Sequence, residues 1–254
     1  MIKVLRKIKI QSSRMMNRPL NYCKFLNSFH RFKKLYNTSS KRLPLKWADR
    51  LPCLDDNTES TSFDRHYVYH PAWAARVIAE TKPIRHIDIS STLHFCSMIS
   101  AFIPVEFYDY RPADLRLPNL ISNHADLAAL PFECNSVASI SCMHVVEHIG
   151  LGRYGDHIDP DGDLKAMNEL YRVLSPGGNL LFVVPIGHQR IMYNGHRIYS
   201  YEQIIRSFPG LQLLEFTLIP DSWEDGGMVV SPDDELLNRQ VYGCGCFWFR
   251  KPEI

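Results

Sequence analysis

Short apolar runs alternate with amphipathic stretches along most of the chain after residue 67, and this alternation predicts its secondary structure. Strands are predicted at 85–90, at 105–110, in a short segment that ends near Asp126, and at 138–144, 179–185, 212–218 and 242–249. Helices are predicted at 70–80, which Pro83 ends, and at 95–102, 164–174 and 201–207. The run LFVVP is apolar throughout, as expected for a central parallel strand covered on both faces. The pattern predicts an α/β fold with a doubly wound, mostly parallel, seven-stranded Rossmann-like sheet.

The first 50 residues follow a different pattern, in which apolar side chains recur at intervals of three or four among basic ones. The apolar positions are Tyr22, Phe25, Leu26, Phe29, Phe32 and Tyr36. This spacing predicts an amphipathic basic helix that starts near Asn21, just after Pro19. Residues 51–66 are polar and are predicted to form a linker. We therefore divide the chain into a basic arm with its linker, residues 1–60, and a domain, residues 61–254.

The net charge of +2 conceals a strongly uneven distribution. Residues 1–50 hold 14 of the 29 Lys and Arg and one acid, Asp49, for a charge of +13, whereas the rest carries 15 basic and 26 acidic side chains, for −11. Such an arm attracts phosphate, on lipid headgroups or on nucleic acid. Three interpretations stay open: an interfacial helix on anionic lipid, a helix packed on the domain, and an Arg-rich, acid-poor transit peptide. The arm has no recognisable nucleic-acid module, which argues against RNA or DNA as its partner.

The cysteine content and the hydropathy of the chain restrict the cellular compartments in which the protein is expected. The seven cysteines are odd in number and lack zinc-ligand spacing, so they are expected to be reduced, small hydrophobic residues. No apolar run approaches the roughly 20 residues that span a bilayer, and the N-terminus has no secretory h-region. We expect an intracellular protein, cytoplasmic or peripheral to a membrane, and mitochondrial targeting stays open.

Polar residues stand where four predicted parallel strands end, at 88–91, 109–110, 126–127 and 142–144. In open α/β sheets the ligand binds at these carboxyl ends, near the switch in strand order. Asp109 lies 21 residues after Asp88, close to the spacing of about 20 that is typical of an acid on ribose hydroxyls. Asp126 is placed to accept a hydrogen bond from an adenine amino group, with Leu127 against the ring. The alternative is that such acids merely cap the following helices.

Residues 67–251 resemble the class I S-adenosylmethionine (SAM)-dependent methyltransferases, most densely in 126–185, where the LPF and RVLSPGG motifs stand. The segments HYVYHPAWAARVI, HIDIS, VVEHIGLGRYGD, DPDGDLKAMNEL and HRIYSYEQI resemble one branch, first catalogued as a Caenorhabditis protein of unknown function. This resemblance implies SAM as the cofactor and no established substrate. The implied cofactor-binding residues are Asp88, Ser90, Asp109, Tyr110, Asp126, Leu127 and His144.

The glycine motif of these enzymes is degenerate in this chain. Ser90, Thr92 and His94 stand where the glycines after the first strand belong. Glycine serves there because the backbone turns with positive φ close to the cofactor. A β-branched Thr92 at positive φ is expected to cost on the order of 1–3 kcal/mol. Either the loop follows another path, or the pocket does not take SAM in the usual way.

Residues 150–163 follow the fourth strand and are expected to cover the transferred methyl group. We predict His148 or His157 as a general base for the acceptor, with Tyr154 and Arg197 orienting it. The alternative for each histidine is a structural hydrogen bond. The DPDGD motif suggests calcium, but the template then puts His157 and Asn168 at its first and twelfth positions, where acids are required. No metal site is predicted.

Two functions are carried forward from the sequence. The first is a SAM-dependent methyltransferase that acts on a small-molecule, glycan or lipid-linked acceptor. The second is a non-catalytic relative with a degenerate pocket that binds a partner, since fold alone does not determine function. If the second is right, Phe95 or Thr92 is expected to fill the pocket; if the first is right, an open cleft is lined by Asp88, Asp109 and Asp126.

Overall fold

The computed structural model describes residues 2–253, and side chains are described from residue 18 onward. The chain divides into two compact units, Met1–Ser62 and Phe63–Ile254. Among the described residues, no helix combines the length and the apolar character needed to cross a membrane.

The first unit is built on one long helix, α1 (Ile2–Asn37). The prediction of a helix start near Asn21 is wrong, because the helix begins at Ile2 and continues through Pro19. Proline removes a single backbone donor, and the regular turns on both sides carry the helix past that gap. The structure does not describe the side chains of residues 1–17, which carry part of the positive charge of the arm.

Part of the apolar stripe of α1 is covered by the chain that follows it. The Trp47 ring lies 4.8 Å from the Phe29 ring and 6.3 Å from the Phe25 ring, centroid to centroid. The Tyr36 hydroxyl donates to the Leu43 carbonyl, 2.7 Å away. Leu20, Phe32 and Leu35 stay more than half exposed.

The second unit carries the α/β domain. Its helices are α2 (Arg65–Thr81), α3 (Leu93–Ile99), α4 (Gly162–Val173), α5 (Tyr201–Ser207) and α6 (Asp234–Asn238). Its strands are β1 (His86–Ile89), β2 (Val105–Asp109), β3 (Leu120–His124), β4 (Val137–Met143), β5 (Leu174–Ile186), β6 (Arg190–Met192), β7 (His196–Ile198), β8 (Gln212–Ile219), β9 (Val229–Val230) and β10 (Gly243–Arg250).

The main sheet confirms the predicted doubly wound architecture, with eight strands in the order β3-β2-β1-β4-β5-β10-β8-β9. Strands β1 to β5 pair in parallel, and β10 runs antiparallel between β5 and β8. The eighth strand is β9, an edge strand of two residues, which is too short to be recognised from the periodicity of the sequence. Strands β6 and β7 form a separate hairpin. Strand order reverses between β1 and β4, so the ligand-binding crevice is expected at the carboxyl ends of these two strands.

Both faces of the sheet are buried, as the LFVVP run predicted. Leu180, Phe182 and Val184 pack on one side with α4 and α5. Leu181 and Val183 pack on the other with α2 and α3. Helix α2 begins at Arg65, inside the predicted linker, because the Asp64 carboxylate caps it by accepting from the Tyr67 backbone N–H (3.2 Å).

Candidate functional site

A cleft opens at the carboxyl ends of the four adjacent strands β1 to β4. Predicted cofactor residues that line it are Ser90, Asp109, Tyr110, Asp126, Leu127 and His144, and the predicted catalytic residues His148 and Tyr154 join them. The cleft has a volume of about 220 Å³, below the roughly 300–1,000 Å³ of typical ligand pockets. Parallel strands that end at one edge therefore bring together residues that are distant in sequence.

The two acids of the cleft are held in similar turns. Asp109 ends β2, and its Oδ1 accepts from the backbone N–H of Arg111, 2.7 Å away. Asp126 follows β3, and its Oδ1 accepts from the backbone N–H of Ala128, 2.8 Å away. Asp126 is exposed, whereas Leu127 beside it is buried and offers an apolar wall. The cleft thus combines two fixed carboxylates, which can accept hydrogen bonds, with an apolar surface.

Asp88 does not line the cleft, contrary to its predicted place among the cofactor-binding residues. It is fully buried, and the Ser141 hydroxyl of the neighbouring strand donates to its Oδ1. Burial raises the pKa of the Asp88 carboxyl from 3.8 to about 7, against the hydrogen bonds from Ser141 and Ser91 that lower it. In β1 the side chains alternate between the two faces of the sheet, and the pairing with Ser141 fixes Asp88 on a covered face. Asp88 therefore stabilises the turn after β1 through hydrogen bonds with Ser91 and Ser141 and does not face the cleft.

That turn also corrects the prediction of strain at Thr92. Ser90 takes the left-handed conformation, with φ of 51°. Thr92 has φ of −87°, and its hydroxyl caps α3 by accepting from the Phe95 N–H (3.2 Å). The loop therefore follows another path, in which a threonine is well suited as an N-cap. Phe95 is packed in the core, 1% exposed, so neither side chain fills the cleft.

His144 lies directly after β4 in the left-handed conformation, with φ of 59°, and its side chain is buried. Its Nδ1 lies 2.8 Å from Oε1 of the buried Glu147. Burial opposes a positive charge on His144, but Cys244 and the Glu147 carboxylate outweigh it and raise its pKa to about 10. Burial likewise opposes the Glu147 carboxylate, and the His144 partner lowers the pKa of Glu147. A charged pair is thus buried at the edge of the cleft.

The segment 150–163 is held over the cleft by one carboxylate. Asp156 Oδ2 accepts from the backbone N–H groups of Gly150 (2.8 Å) and Gly152 (3.3 Å), and Oδ1 accepts from Tyr154 (3.1 Å). This carboxylate fixes Tyr154 against the cleft. The Arg111 and Arg153 guanidinium groups lie 4.7 and 4.9 Å from the centre of the Tyr154 ring.

The two predicted bases are placed differently. His148 lies at the cleft, and its Nδ1 is 2.6 Å from the Gly195 carbonyl oxygen. That contact requires a proton on Nδ1 and leaves Nε2 as the basic nitrogen. His157 is exposed on the covering segment and does not line the cleft, so the structure does not bring it to the other predicted residues.

Arg197, predicted to orient substrate, is 4% exposed and fastens the covering segment instead. Nη1 donates to the Ile149 carbonyl (2.7 Å), and Nη2 donates to the Pro160 carbonyl (3.0 Å). Nε lies 3.5 Å from Asp163 Oδ1, and the Tyr199 hydroxyl donates to the other oxygen of Asp163 (2.9 Å). The buried guanidinium group of Arg197 therefore binds both ends of the segment.

A cluster of buried and half-buried polar side chains beside His144 was not predicted from the sequence. Its members are His66, His70, Glu147, Tyr242 and Cys244. They come from α2, from the turn after β4 and from the start of β10. No spacing along the chain links them, so only the fold brings them together.

Comparisons with known proteins agree with this architecture. The family model described as Caenorhabditis protein of unknown function, DUF268, matches residues 102–218. No curated protein matches the chain significantly. Several solved structures share its fold at low sequence identity.

Three of these structures have a TM-score of 0.51. A candidate methyltransferase from Bacillus halodurans is 14% identical, over 72% of this chain and 98% of its own. A chain of the complex between the Haloferax volcanii Trm112 methyltransferase activator and a candidate methyltransferase is 18% identical, over 75% and 91%. N-methyltransferase NodS from Bradyrhizobium japonicum, solved with S-adenosylhomocysteine (SAH), is 17% identical, over 80% and 92%. The α/β domain of this chain therefore has the fold of the class I SAM-dependent methyltransferases.

Proposed function

We propose that the cleft at the carboxyl ends of β1 to β4 binds SAM and that the protein transfers its methyl group to a small-molecule, glycan or lipid-linked acceptor. The observation that carries the proposal is the joint presence of Asp109, Asp126 and Leu127 in this cleft. NodS, which shares the fold, was solved with SAH. The donor would supply an electrophilic methyl group bound to a sulfonium.

Each wall of the cleft suits one part of that donor. Asp109, at the end of β2, suits a pair of ribose hydroxyls, because a carboxylate accepts two hydrogen bonds. Asp126 suits the adenine amino group, and Leu127 suits the ring face. Ser90 has a positive φ, so the turn after β1 adopts at this residue the left-handed backbone conformation for which glycine is usually required.

His148 is the residue of the cleft best suited to take a proton from the acceptor. Its Nδ1 is committed to the Gly195 carbonyl, so Nε2 is the nitrogen that accepts. With SAM and an acceptor bound, the acceptor atom would bond to the methyl carbon as the carbon–sulfur bond broke, and Nε2 would take the acceptor proton. Tyr154, held by Asp156, would close the cleft over the acceptor and exclude water.

Replacing Asp109 by alanine is expected to weaken SAM and SAH binding about 10- to 100-fold, because charge-assisted hydrogen bonds contribute about 1.5–3 kcal/mol. Isothermal titration of the full chain with both nucleosides measures the effect. Asp114→Ala is the matched control, since Asp114 is an exposed acid that pairs with Arg116 away from the cleft. Equal affinities for the two variants and the unsubstituted protein would place the nucleoside elsewhere.

A non-catalytic relative that binds a partner is the second candidate, and the small volume of the cleft, about 220 Å³, favours it. The same titration separates the two candidates. Failure of the unsubstituted protein to bind either nucleoside at millimolar concentration would support the non-catalytic candidate and contradict the enzyme.

We further propose that α1 lies on an anionic membrane surface, which would bring a lipid-linked acceptor to the domain. The support is the charge of +13 on residues 1–50, together with the exposed apolar side chains of Leu20, Phe32 and Leu35. Basic side chains near an anionic bilayer contribute about 1 kcal/mol each.

Reversing three exposed charges of α1 is expected to weaken binding to vesicles of phosphatidylcholine and phosphatidylserine about 100-fold. The substitutions are Lys24→Glu, Lys33→Glu and Lys34→Glu. The matched control reverses three exposed charges of the domain: Arg76→Glu, Lys82→Glu and Arg206→Glu. Co-sedimentation measures both. Equal losses in the two triple variants would show that net charge alone, and not α1, governs binding.

A further inference from the structure

Three potential metal ligands converge beside the cleft, and one of them, His144, also lines it. His66 comes from α2, His144 from the turn after β4, and Cys244 from β10. One ligand atom from each lies within 4.8 Å of the other two. His66 and His144 are less than a tenth exposed, and Cys244 is fully buried.

Sheet topology explains the convergence. Strand β10 runs antiparallel to β5, so its first residues lie at the carboxyl end of β5, where Cys244 pairs with Pro185. His144 follows the neighbouring strand β4, and its N–H donates to the Val183 carbonyl. The His66 ring stacks on the His144 ring, with the centroids 5.4 Å apart. The cluster thus lies at the same edge of the sheet as the cleft, and His144 belongs to both.

Several buried polar atoms of the cluster lack ordinary partners. Within the described residues, His144 Nε2, His70 Nε2 and Glu147 Oε2 make no hydrogen bond of regular geometry. The His144 and Cys244 side chains also interact. Each orphaned buried group costs about 1–3 kcal/mol. A cation held between His66, His144 and Cys244 would satisfy the orphaned His144 Nε2.

Glu147 completes the pattern of a metal-binding histidine. Its Oε1 lies 2.8 Å from Nδ1 of His144, so Nδ1 carries a proton, and a metal would displace the second proton from Nε2, on the side of the ring away from the carboxylate. Histidines that bind metals usually donate their second N–H to a carboxylate or carbonyl in this manner. The charges balance as well, because a divalent cation offsets one thiolate and one carboxylate.

We propose that His66, His144 and Cys244 bind a zinc ion and that Glu147 orients His144 for it. Two imidazoles and a thiolate form a donor set that suits Zn²⁺, with bonds of about 2.0–2.3 Å and a tetrahedral arrangement. Tetrahedral bonds of that length place the ligand atoms about 3.3–3.8 Å apart, so rotations of the side chains must draw these three closer. His70, whose ring centroid lies 5.0 Å from that of His144, is a further imidazole beside these ligands and a candidate for the fourth position.

Sequence analysis predicted no metal site, because no cysteine or histidine spacing in this chain resembles a zinc motif. The ligands come one from each of three distant segments. The proposal does not depend on SAM binding, and the tests below do not use methyl transfer as a readout.

Metal analysis of the full chain, expressed without a histidine tag, is the first test. We expect about one zinc per chain, a higher Tm after zinc is returned to the chelator-treated protein, and a thiolate-to-metal charge-transfer absorption when Co²⁺ replaces zinc. Absence of stoichiometric zinc together with absence of the Co²⁺ absorption would overturn the proposal. Stoichiometric copper or iron in place of zinc would overturn the choice of metal.

Three variants then assign the ligands. Cys244→Ser and His66→Asn are expected to lose zinc, and Glu147→Gln is expected to weaken zinc binding about 10- to 100-fold. Cys96→Ser is the matched control, because Cys96 is an equally buried cysteine on α3, outside the cluster. Zinc retained by both ligand variants, or lost equally from the control, contradicts the assignment. If a ligand variant does not fold, the thiolate absorption of the Co²⁺-loaded unsubstituted protein decides whether a cysteine binds the metal.

Discussion

Replacing Arg197 by methionine is expected to lower the free energy of unfolding by about 3–5 kcal/mol, the usual cost of removing one partner of a buried ion pair. The guanidinium is 4% exposed and holds the Ile149 and Pro160 carbonyls as well as the Asp163 carboxylate. Methionine retains the apolar contacts of the stem but leaves the buried Asp163 carboxyl group without its cation, with only the Tyr199 hydroxyl as a described partner. Urea denaturation followed by circular dichroism measures the loss.

Arg116→Met is the matched control for this experiment. Arg116 pairs with Asp114 at the surface, where both side chains are more than three-quarters exposed, so less than about 1 kcal/mol is expected. A loss of similar size in both variants would show that the buried position of Arg197 does not matter. Because Arg197 fastens the segment that carries Tyr154, we also expect weaker binding of any ligand in the cleft.

The stability of the domain is expected to contain a component that falls as the pH rises through 7, and Asp88→Asn is expected to remove it. Burial raises the Asp88 pKa from 3.8 to about 7, so the folded chain holds a proton that the unfolded chain has lost between these values. The contribution is complete below pH 3.8 and is lost by the time the pH passes the folded pKa. At about 1.4 kcal/mol per pH unit, the loss is on the order of 4 kcal/mol.

The measurement is the difference in unfolding free energy between the Asp88→Asn variant and the unsubstituted chain at pH 5, 6, 7 and 8. We expect this difference to shift in favour of the variant as the pH rises. Asp114→Asn, a substitution at an exposed carboxyl, is expected to leave the pH profile unchanged. Parallel profiles for Asp88→Asn and the unsubstituted chain would mean that Asp88 is already ionised in the fold.

Some positions of the candidate site could be predicted from the sequence, and others could not. Asp109, Asp126 and Leu127 line the cleft, because parallel strands end at one edge and the residues after them share a crevice, and their role in binding a cofactor stays a prediction. Asp88 was misplaced, since the face on which a strand residue lies is decided by its pairing with the neighbouring strand. Thr92 was predicted to be strained, yet a shift in the course of the loop makes it the N-cap of α3.

The cluster around His144 could not be predicted from the sequence, for a different reason. His66, Glu147 and Cys244 belong to segments whose proximity depends on the antiparallel course of β10. Local patterns predicted β10 as a strand but gave no information on its direction or neighbours. Glu147 precedes His148 in the sequence, whereas its close partner in the fold is His144.

By itself, the sequence determined the class of fold, the order of its main helices and strands, and the edge of the sheet at which the cleft lies. These properties follow from local periodicity and from chain connectivity, and both can be deduced from a single sequence. The tertiary structure alone decided that Asp88 and Arg197 are buried and that two histidines and a cysteine meet beside the cleft. Such contacts depend on strand direction, register and side-chain rotation, which are set by packing between segments that are far apart along the chain.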